Sequence, residues 1–233
     1  MKNFFSIIIL ILALSFVADA QSLTRFYEAG KVGYKDATGK IIVAPDYEAG
    51  SEFYSGYAIV LKNNLRGFID ATGRVVIPIQ YSDASVFNNG IARVMQNGKY
   101  GWINTKGKTE IPFQYELAFD FKDGLARAKQ NGKWGYINES GKTVLAFQYD
   151  DAYDFSEEVA AVKQNGAYGF IDKSGATKIA FQYSAAYGFA NNEAFVMQNE
   201  EAFYIDHAGT FIREQEDLED REHEMEMEED EAH

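Results

Sequence analysis

No cysteine occurs among the 233 residues. That excludes disulfides, thiolate metal sites, cysteine nucleophiles and lipid attachment through a cysteine. Histidine is nearly as scarce, with 3 residues, His207, His223 and His233. No Ser/His/Asp set and no H-E-x-x-H string can be assembled from them, so no catalytic residue is assigned. Only 3 prolines stand against 20 glycines, so the loops are built mainly from glycine. The basic footprint of a nucleic-acid binder is missing, because the net charge is -13. What is present is globular: 46% hydrophobic and 15% aromatic residues, enough for a buried core.

The charge is uneven. Residues 214–233 hold twelve acids against the single base Arg221, a net of −11, which leaves the remainder of the chain close to neutral at −2. With Leu218, Met225 and Met227 as its only larger apolar residues, this tail cannot fold on itself and reads as a solvated acidic extension. At the other end, Met1-Lys2-Asn3 precedes an apolar run from Phe4 to Val17, then Ala18-Asp19-Ala20. This is the layout of a secretory leader with an A-x-A cleavage site. Fourteen residues span only ~21 Å as a helix, short of the ~30 Å hydrocarbon core, so no stable membrane span is expected after cleavage. The expected product is periplasmic or extracellular and is not a lipoprotein. Three segments follow: a leader over 1–20, a repeat domain over 21–213 and the tail over 214–233.

Self-similarity organises the middle segment. Gly33, Gly67, Gly101, Gly135 and Gly169 lie 34 residues apart, and Phe203 stands where a sixth would fall. Gly39, Gly73, Gly107, Gly141, Gly175 and Gly209 form a second column. Tyr47, Tyr81, Tyr115, Tyr149 and Tyr183, and Phe53, Phe87, Phe121, Phe155 and Phe189, form two more. Helix-pair repeats share this period, but they need apolar residues at i, i+3, i+4 and i+7. Here the alternation has period two and glycine interrupts it.

In the fourth unit, Leu125 to Gln130 reads as a strand, Asn131-Gly132 as a type I′ turn, and Lys133 to Asn138 as the return strand. Glu139-Ser140-Gly141 makes a three-residue loop, and Lys142 to Phe147 a third strand. Residues 148–158 read as a connector. The fold expected is all-β: six three-stranded antiparallel meanders in an open, solenoid-like array. A closed propeller-like ring is the alternative, disfavoured because propeller blades usually have four strands. In the sixth unit Glu200-Glu201 stand in for the hairpin turn, as in the degenerate terminal units of an array.

Turn lengths set the register. They place Ala126, Ala128, Gly135, Ile137, Thr143, Leu145 and Phe147 on one small apolar face, with Leu145 opposite Gly135 and Thr143 opposite Ile137. The space at Gly135 is expected to take a connector aromatic, Tyr149 or Phe155. The other face carries Arg127, Lys129, Trp134 and Tyr136, paired for cation–π contact. With their counterparts Arg93, Tyr100 and Trp102, the residues Arg127, Trp134 and Tyr136 are the candidate binding residues. Exposed in line, they would form a ligand groove; buried, they would be packing between units. The recurring Asp36, Asp70, Asn104, Asn138, Asp172 and Asp206 suggest calcium, but calcium wants six or more oxygens and each residue precedes a glycine loop, so a turn role is expected and no metal or other cofactor is assigned.

The string Asn131-Gly-Lys-Trp-Gly-Tyr-Ile-Asn-Glu-Ser-Gly-Lys142 resembles the WG repeat, also called KWG, of bacterial proteins. The resemblance runs from about Thr24 to Ile212. It implies an exported interaction scaffold without catalytic chemistry. The partner expected is an envelope or extracellular protein, with a polysaccharide as the alternative and no nucleic acid. One expectation is directly measurable. Protein recovered from outside the cytoplasm of a Gram-negative host should begin near Gln21 by mass spectrometry, and an intact Met1–Ala20 segment would overturn the leader assignment.

Overall fold

The computed structural model describes residues 23–214. The leader at 1–20, and all of the acidic tail except Glu214, lie outside the described residues. Among the described residues every regular element is a strand, and the strands form six antiparallel sheets in chain order. No hydrogen-bonded ladder joins one sheet to another, and none closes the set into a barrel. The chain is therefore a tandem array of meanders.

The fourth sheet shows the unit. Its strands run Leu125–Gln130, Lys133–Asn138 and Thr143–Tyr149. Asn131 and Gly132 have φ of 52° and 76°, the two positive values a type I′ turn requires. That turn pairs Ala128 with Gly135 and Ala126 with Ile137, as expected from its length. In the sixth unit the turn is carried by Asn199 and Glu200, at φ 53° and 71°, and not by Glu200-Glu201. Gln198 pairs with Glu201 across it.

Two features depart from the expected meander. The connector is not all loop. Leu117–Ala118, Asp151–Ala152 and their equivalents form a two-residue strand on the free side of each first strand, so five sheets have four strands and the first has three. Strand number therefore no longer separates an open array from a ring. The third strand is also displaced. Thr143 does face Ile137, but Leu145 pairs with Tyr136 and Tyr149 with Trp134. Three third-strand residues thus stand opposite the single residue Gly135, a bulge repeated in the first five units.

That bulge explains the first glycine column. A Cβ on Gly135 would sit 2.7 Å from the Leu145 carbonyl oxygen and 2.9 Å from the Phe147 ring. The equivalent carbonyl lies 2.6–2.8 Å from a Cβ on Gly33, Gly67, Gly101 or Gly169. The space is filled by the third strand's own backbone and Phe147, and not by Tyr149 or Phe155. Phe147 in turn packs on Tyr115 of the preceding unit, centroids 6.0 Å apart. In the sixth unit Phe203 replaces the glycine and meets Tyr183 directly, at 6.4 Å. The ring has moved from the third strand to the middle one, and Phe203 and Tyr204 pair regularly with Glu214 and Arg213. All three prolines, Pro45, Pro78 and Pro112, lie on third strands, the outer sheet edge where a missing N–H costs least.

The core is five cores. Each cluster joins the Tyr-bearing face of one sheet to the small face of the next. Between the third and fourth sheets, Trp102, Ile111 and Tyr115 meet Ala126, Ala128 and Ile137. The middle strand is thus buried on both faces, so Trp134, Gly135, Tyr136 and Ile137 are all buried in succession. Connector phenylalanines complete each cluster: Phe155 packs on Tyr136 with centroids 4.8 Å apart, and Phe189 on Phe170 at 5.1 Å. The second glycine column closes the same interface. Gly141 has φ 77°, and a Cβ there would touch Ile111 of the preceding unit at 3.1 Å.

Gly135→Val should lower stability by about 3 kcal/mol, since the backbone oxygen at the bulge cannot yield without breaking the ladder. Gly132→Ala, where a Cβ meets nothing within 4 Å but φ is 76°, should cost only about 1 kcal/mol. Denaturant titration of the two variants checks the order.

Candidate binding surface

The structure divides the six candidate binding residues. Trp102 and Tyr136 are inserted between sheets, 1% and 0% exposed, and have no surface to offer a ligand. Tyr136 instead donates its hydroxyl to the Tyr153 carbonyl, 2.6 Å away on the connector to the next unit. Burial pushes that hydroxyl's pKa well above the ordinary tyrosine value, so it remains a donor. Trp134 is buried, while Arg93, Tyr100 and Arg127 are partly exposed at the margin of their sheets. The expected opposition of Lys129 to Trp134 holds, with the ammonium 5.8 Å from the ring. Arg127 also pairs with Tyr136 in register, but its guanidinium stacks elsewhere, 3.6 Å over Phe119.

Phe119 opens a surface that the sequence reading did not single out. It belongs to the connector column Ser51, Ser85, Phe119, Tyr153 and Tyr187, again spaced by 34. In the first half of the chain the column is serine, and each hydroxyl accepts a backbone N–H of the following strand, Ile59 to Ser51 at 3.0 Å and Arg93 to Ser85 at 3.1 Å. In the second half it is aromatic. Phe119 and Tyr187 are 39% and 51% exposed, and Tyr153 is half-buried between them. Tyr153 and Tyr187 lie 5.6 Å apart by centroid; Tyr187 meets Phe195 at 5.7 Å, and Phe195 meets Tyr204 at 5.6 Å. Arg127 links Phe119 to this series, 5.8 Å from the Tyr153 ring. The result is a continuous aromatic strip with the Arg127 guanidinium embedded in it, crossing the fourth, fifth and sixth units.

Arginines clamp one unit to the next along the same margin. Arg25 pairs with Glu52 at 3.2 Å, Arg93 with Asp120 at 3.1 Å and Arg127 with Asp154 at 2.8 Å, always 27 residues on. Arg127 Nε is at ion-pair distance from Asp154 but outside hydrogen-bond geometry, while its Nη1 donates to the Ala152 carbonyl at 2.6 Å. Where the arginine is lost the carboxylate is lost with it: Ile59 goes with Val86, and Ala161 with Gly188. A second pair behaves alike. Tyr100 donates to Asp83 at 3.1 Å and Tyr168 to Asp151 at 2.6 Å, whereas Trp134, with no hydroxyl, has Leu117 at the carboxylate position.

The repeated Asp and Asn side chains are occupied by their own loops. Oδ1 of each of the six residues accepts the N–H groups two and four positions on, at 2.8–3.2 Å. The Ser174 hydroxyl, with the Ser174 and Ala176 amides, holds the Asp172 carboxyl down at about 2. His207 stacks on Phe189 at 4.0 Å and contacts Glu157 at 3.0 Å, joining the fifth and sixth units. Among the described residues no three His, Asp or Glu side chains gather as metal ligands.

Stacked antiparallel sheets, each buried only by its neighbours, define a β-repeat array. The WG containing repeat family matches residues 33–65, 67–100, 100–134, 134–166 and 168–201, and the chain belongs to that family. No curated protein matches the chain. Solved structures resemble it at low identity. A eukaryotic initiation factor is 12% identical with a TM-score of 0.52, over 85% of this chain and 63% of that one. Hsv2 of Kluyveromyces lactis is 11% identical with a TM-score of 0.46, over 81% and 72%. PorZ, a surface component of the type-IX secretion system of Porphyromonas gingivalis, is 13% identical with a TM-score of 0.40, over 83% and 30%. The initiation-factor likeness bears on the fold alone.

The paired losses of arginine and carboxylate generate a prediction. Arg127→Ala leaves Asp154 and the Ala152 carbonyl without their cation, whereas Arg127→Ala with Asp154→Gly recreates the Ala161/Gly188 arrangement. The two changes together should cost about 0.5–1 kcal/mol less than their sum, a modest figure because Asp154 is partly solvated. A double-mutant cycle in urea measures it.

Proposed function

We propose that this protein is a non-enzymatic, exported scaffold that binds a protein partner through the strip formed by Phe119, Arg127, Tyr153 and Tyr187. The observation that carries the reading is the exposure of this one column. The tyrosine and phenylalanine columns at the other repeated positions are spent on packing between sheets, whereas Phe119 and Tyr187 reach solvent. Exposed aromatics around a partly desolvated arginine are the composition of interface hot spots, and adjacent exposed rings make a patch that water does not favour. Export is supported by the apolar leader and its A-x-A site. A scaffold without catalysis is supported by the carboxylates being held within their loops and by His207 being engaged in packing.

Stacked rings also suit sugars, so the alternative partner is a glycan or cell-wall polymer. Envelope protein fractions and a polysaccharide array should be probed side by side with the parent and with Phe119→Ser/Tyr187→Ser, the residue type the first half of the chain carries. A hot-spot surface predicts loss of protein binding by about 30-fold or more in the variant, equivalent to about 2 kcal/mol. Loss of polysaccharide binding alone would favour the glycan reading. Binding unchanged in the variant would remove the strip from consideration.

A further inference from the structure

The five sheet-to-sheet interfaces use one residue formula. The leading sheet contributes an aliphatic residue from its third strand: Val43, Ile77, Ile111, Leu145 or Ile179, none more than 8% exposed. The following sheet contributes an isoleucine from its middle strand: Ile69, Ile103, Ile137, Ile171 or Ile205, none more than 1% exposed. Each pair shares one cluster: Val43 with Ile69, Ile77 with Ile103, Ile111 with Ile137, Leu145 with Ile171 and Ile179 with Ile205. The spacing within both columns is 34 throughout.

Each column has one further member. In the first sheet, which no sheet precedes among the described residues, the isoleucine position is Lys35. In the sixth sheet, which no sheet follows among the described residues, the aliphatic position is Arg213. Both exceptions are cations, and each falls at the one member of its column that has no partner sheet. We infer that Lys35 and Arg213 are end caps whose like charge keeps the array open. The missing sixth interface would join the last sheet to the first, in the same chain as a ring or in a second copy as a head-to-tail contact. Either way it would bring Lys35 and Arg213 into the place that two aliphatic side chains fill everywhere else.

The physical cost is twofold. An ammonium and a guanidinium would be desolvated together, and they would repel in a medium less polarisable than water. Local packing strengthens the caps. Arg213 lies 3.9 Å over the Tyr204 ring and pairs with Glu193 at 2.8 Å, so it covers the aromatic that the next sheet would otherwise cover. Lys35 sits 6.0 Å over Phe26. Phe26 is itself larger than its counterparts Val60, Val94, Ala128, Val162 and Val196, and Thr24 replaces a column of alanines. The first sheet's outer face thus departs from the formula in size as well as in charge. A head-to-tail contact is heterologous and does not terminate itself, so without such caps the protein would grow as a fibre.

The test uses the full chain. The parent should sediment as a monomer at low and high concentration. Lys35→Ile/Arg213→Leu should either associate with a concentration-dependent mass or, at unchanged mass, melt at higher temperature as the ends close. An equimolar mixture of the two single variants should give a one-to-one complex and nothing longer if the contact forms between chains, while each single variant alone stays monomeric. Lys35→Glu changes one charge for another on a partly exposed side chain, so folding is not at stake. It should pair with Arg213 and tighten self-association or closure by roughly tenfold at low salt, an effect that salt removes and that Lys35→Glu/Arg213→Glu abolishes. A double apolar variant that is monomeric with the parent's melting temperature would overturn the proposal. So would self-association of either single apolar variant, which would indicate a merely sticky surface.

Discussion

A meander of three strands and a two-residue fourth has too little apolar surface to be stable alone, and everything in this chain follows from how it solves that problem. In the four inner sheets the middle strand is covered on both faces, by the preceding sheet on one side and the following sheet on the other. Each face then has a fixed duty. One is made small, with alanine, valine and isoleucine, and the other large, with tyrosine, tryptophan or phenylalanine, so that stacking fills space without voids. The glycine column belongs to the same solution. With no side chain at Gly135, the third strand can bulge inward and lay Phe147 onto Tyr115 of the preceding sheet. Burying each aliphatic residue at these contacts contributes about 1.5–3 kcal/mol, and no sheet has a core that does not include its neighbour's side chains.

Periodicity made most of this legible. The columns of glycine, tyrosine and phenylalanine mark the units, and Asn131-Gly132 fixes the first hairpin's register to the residue. The third strand's displacement was not legible, because turn length predicts pairing only while pairing is regular. A bulge breaks that rule between Ile137 and Trp134 and moves Leu145 from Gly135 to Tyr136. The short fourth strand was hidden for another reason. Two residues such as Asp151-Ala152 carry no period, although the tight turns that lead back from them, Asn89-Gly90 and Asp123-Gly124, use the same positive-φ pair as the hairpins. The candidate surface was only partly legible. Trp102 and Tyr136 look like ligand residues in one unit, and it takes the neighbouring sheet to bury them.

Reading columns across units, instead of motifs within one, recovers what was missed. Arg127 and Asp154 look unrelated at a separation of 27, but Ile59 with Val86 and Ala161 with Gly188 show that the two positions change together. The serine-to-aromatic switch between Ser85 and Phe119 appears only in such a column. It also has a physical consequence. A serine there closes a backbone hydrogen bond and leaves the surface polar, whereas a ring leaves the surface apolar and ties adjacent units through edge contacts. The two halves of the array therefore present different chemistry on one shared scaffold, which is how a repeat protein gains direction without changing its fold.

The same comparison separates two explanations for degenerate terminal units. If the end repeats had merely drifted, their departures would not track the uncovered faces. Most of them do. In the first unit Thr24, Phe26 and Lys35 all lie on the face that no sheet covers among the described residues, while Val32, Tyr34 and Val43 lie on the covered face. In the sixth unit Ala194, Val196 and Ile205 match on the covered face, and Arg213 departs on the other. Phe203 departs on the covered face, but its ring still fills that interface against Tyr183. At the two positions that would form the heart of a sixth interface, both substitutions are cationic, so the geometry that stacks the sheets also locates the charges that stop the stacking.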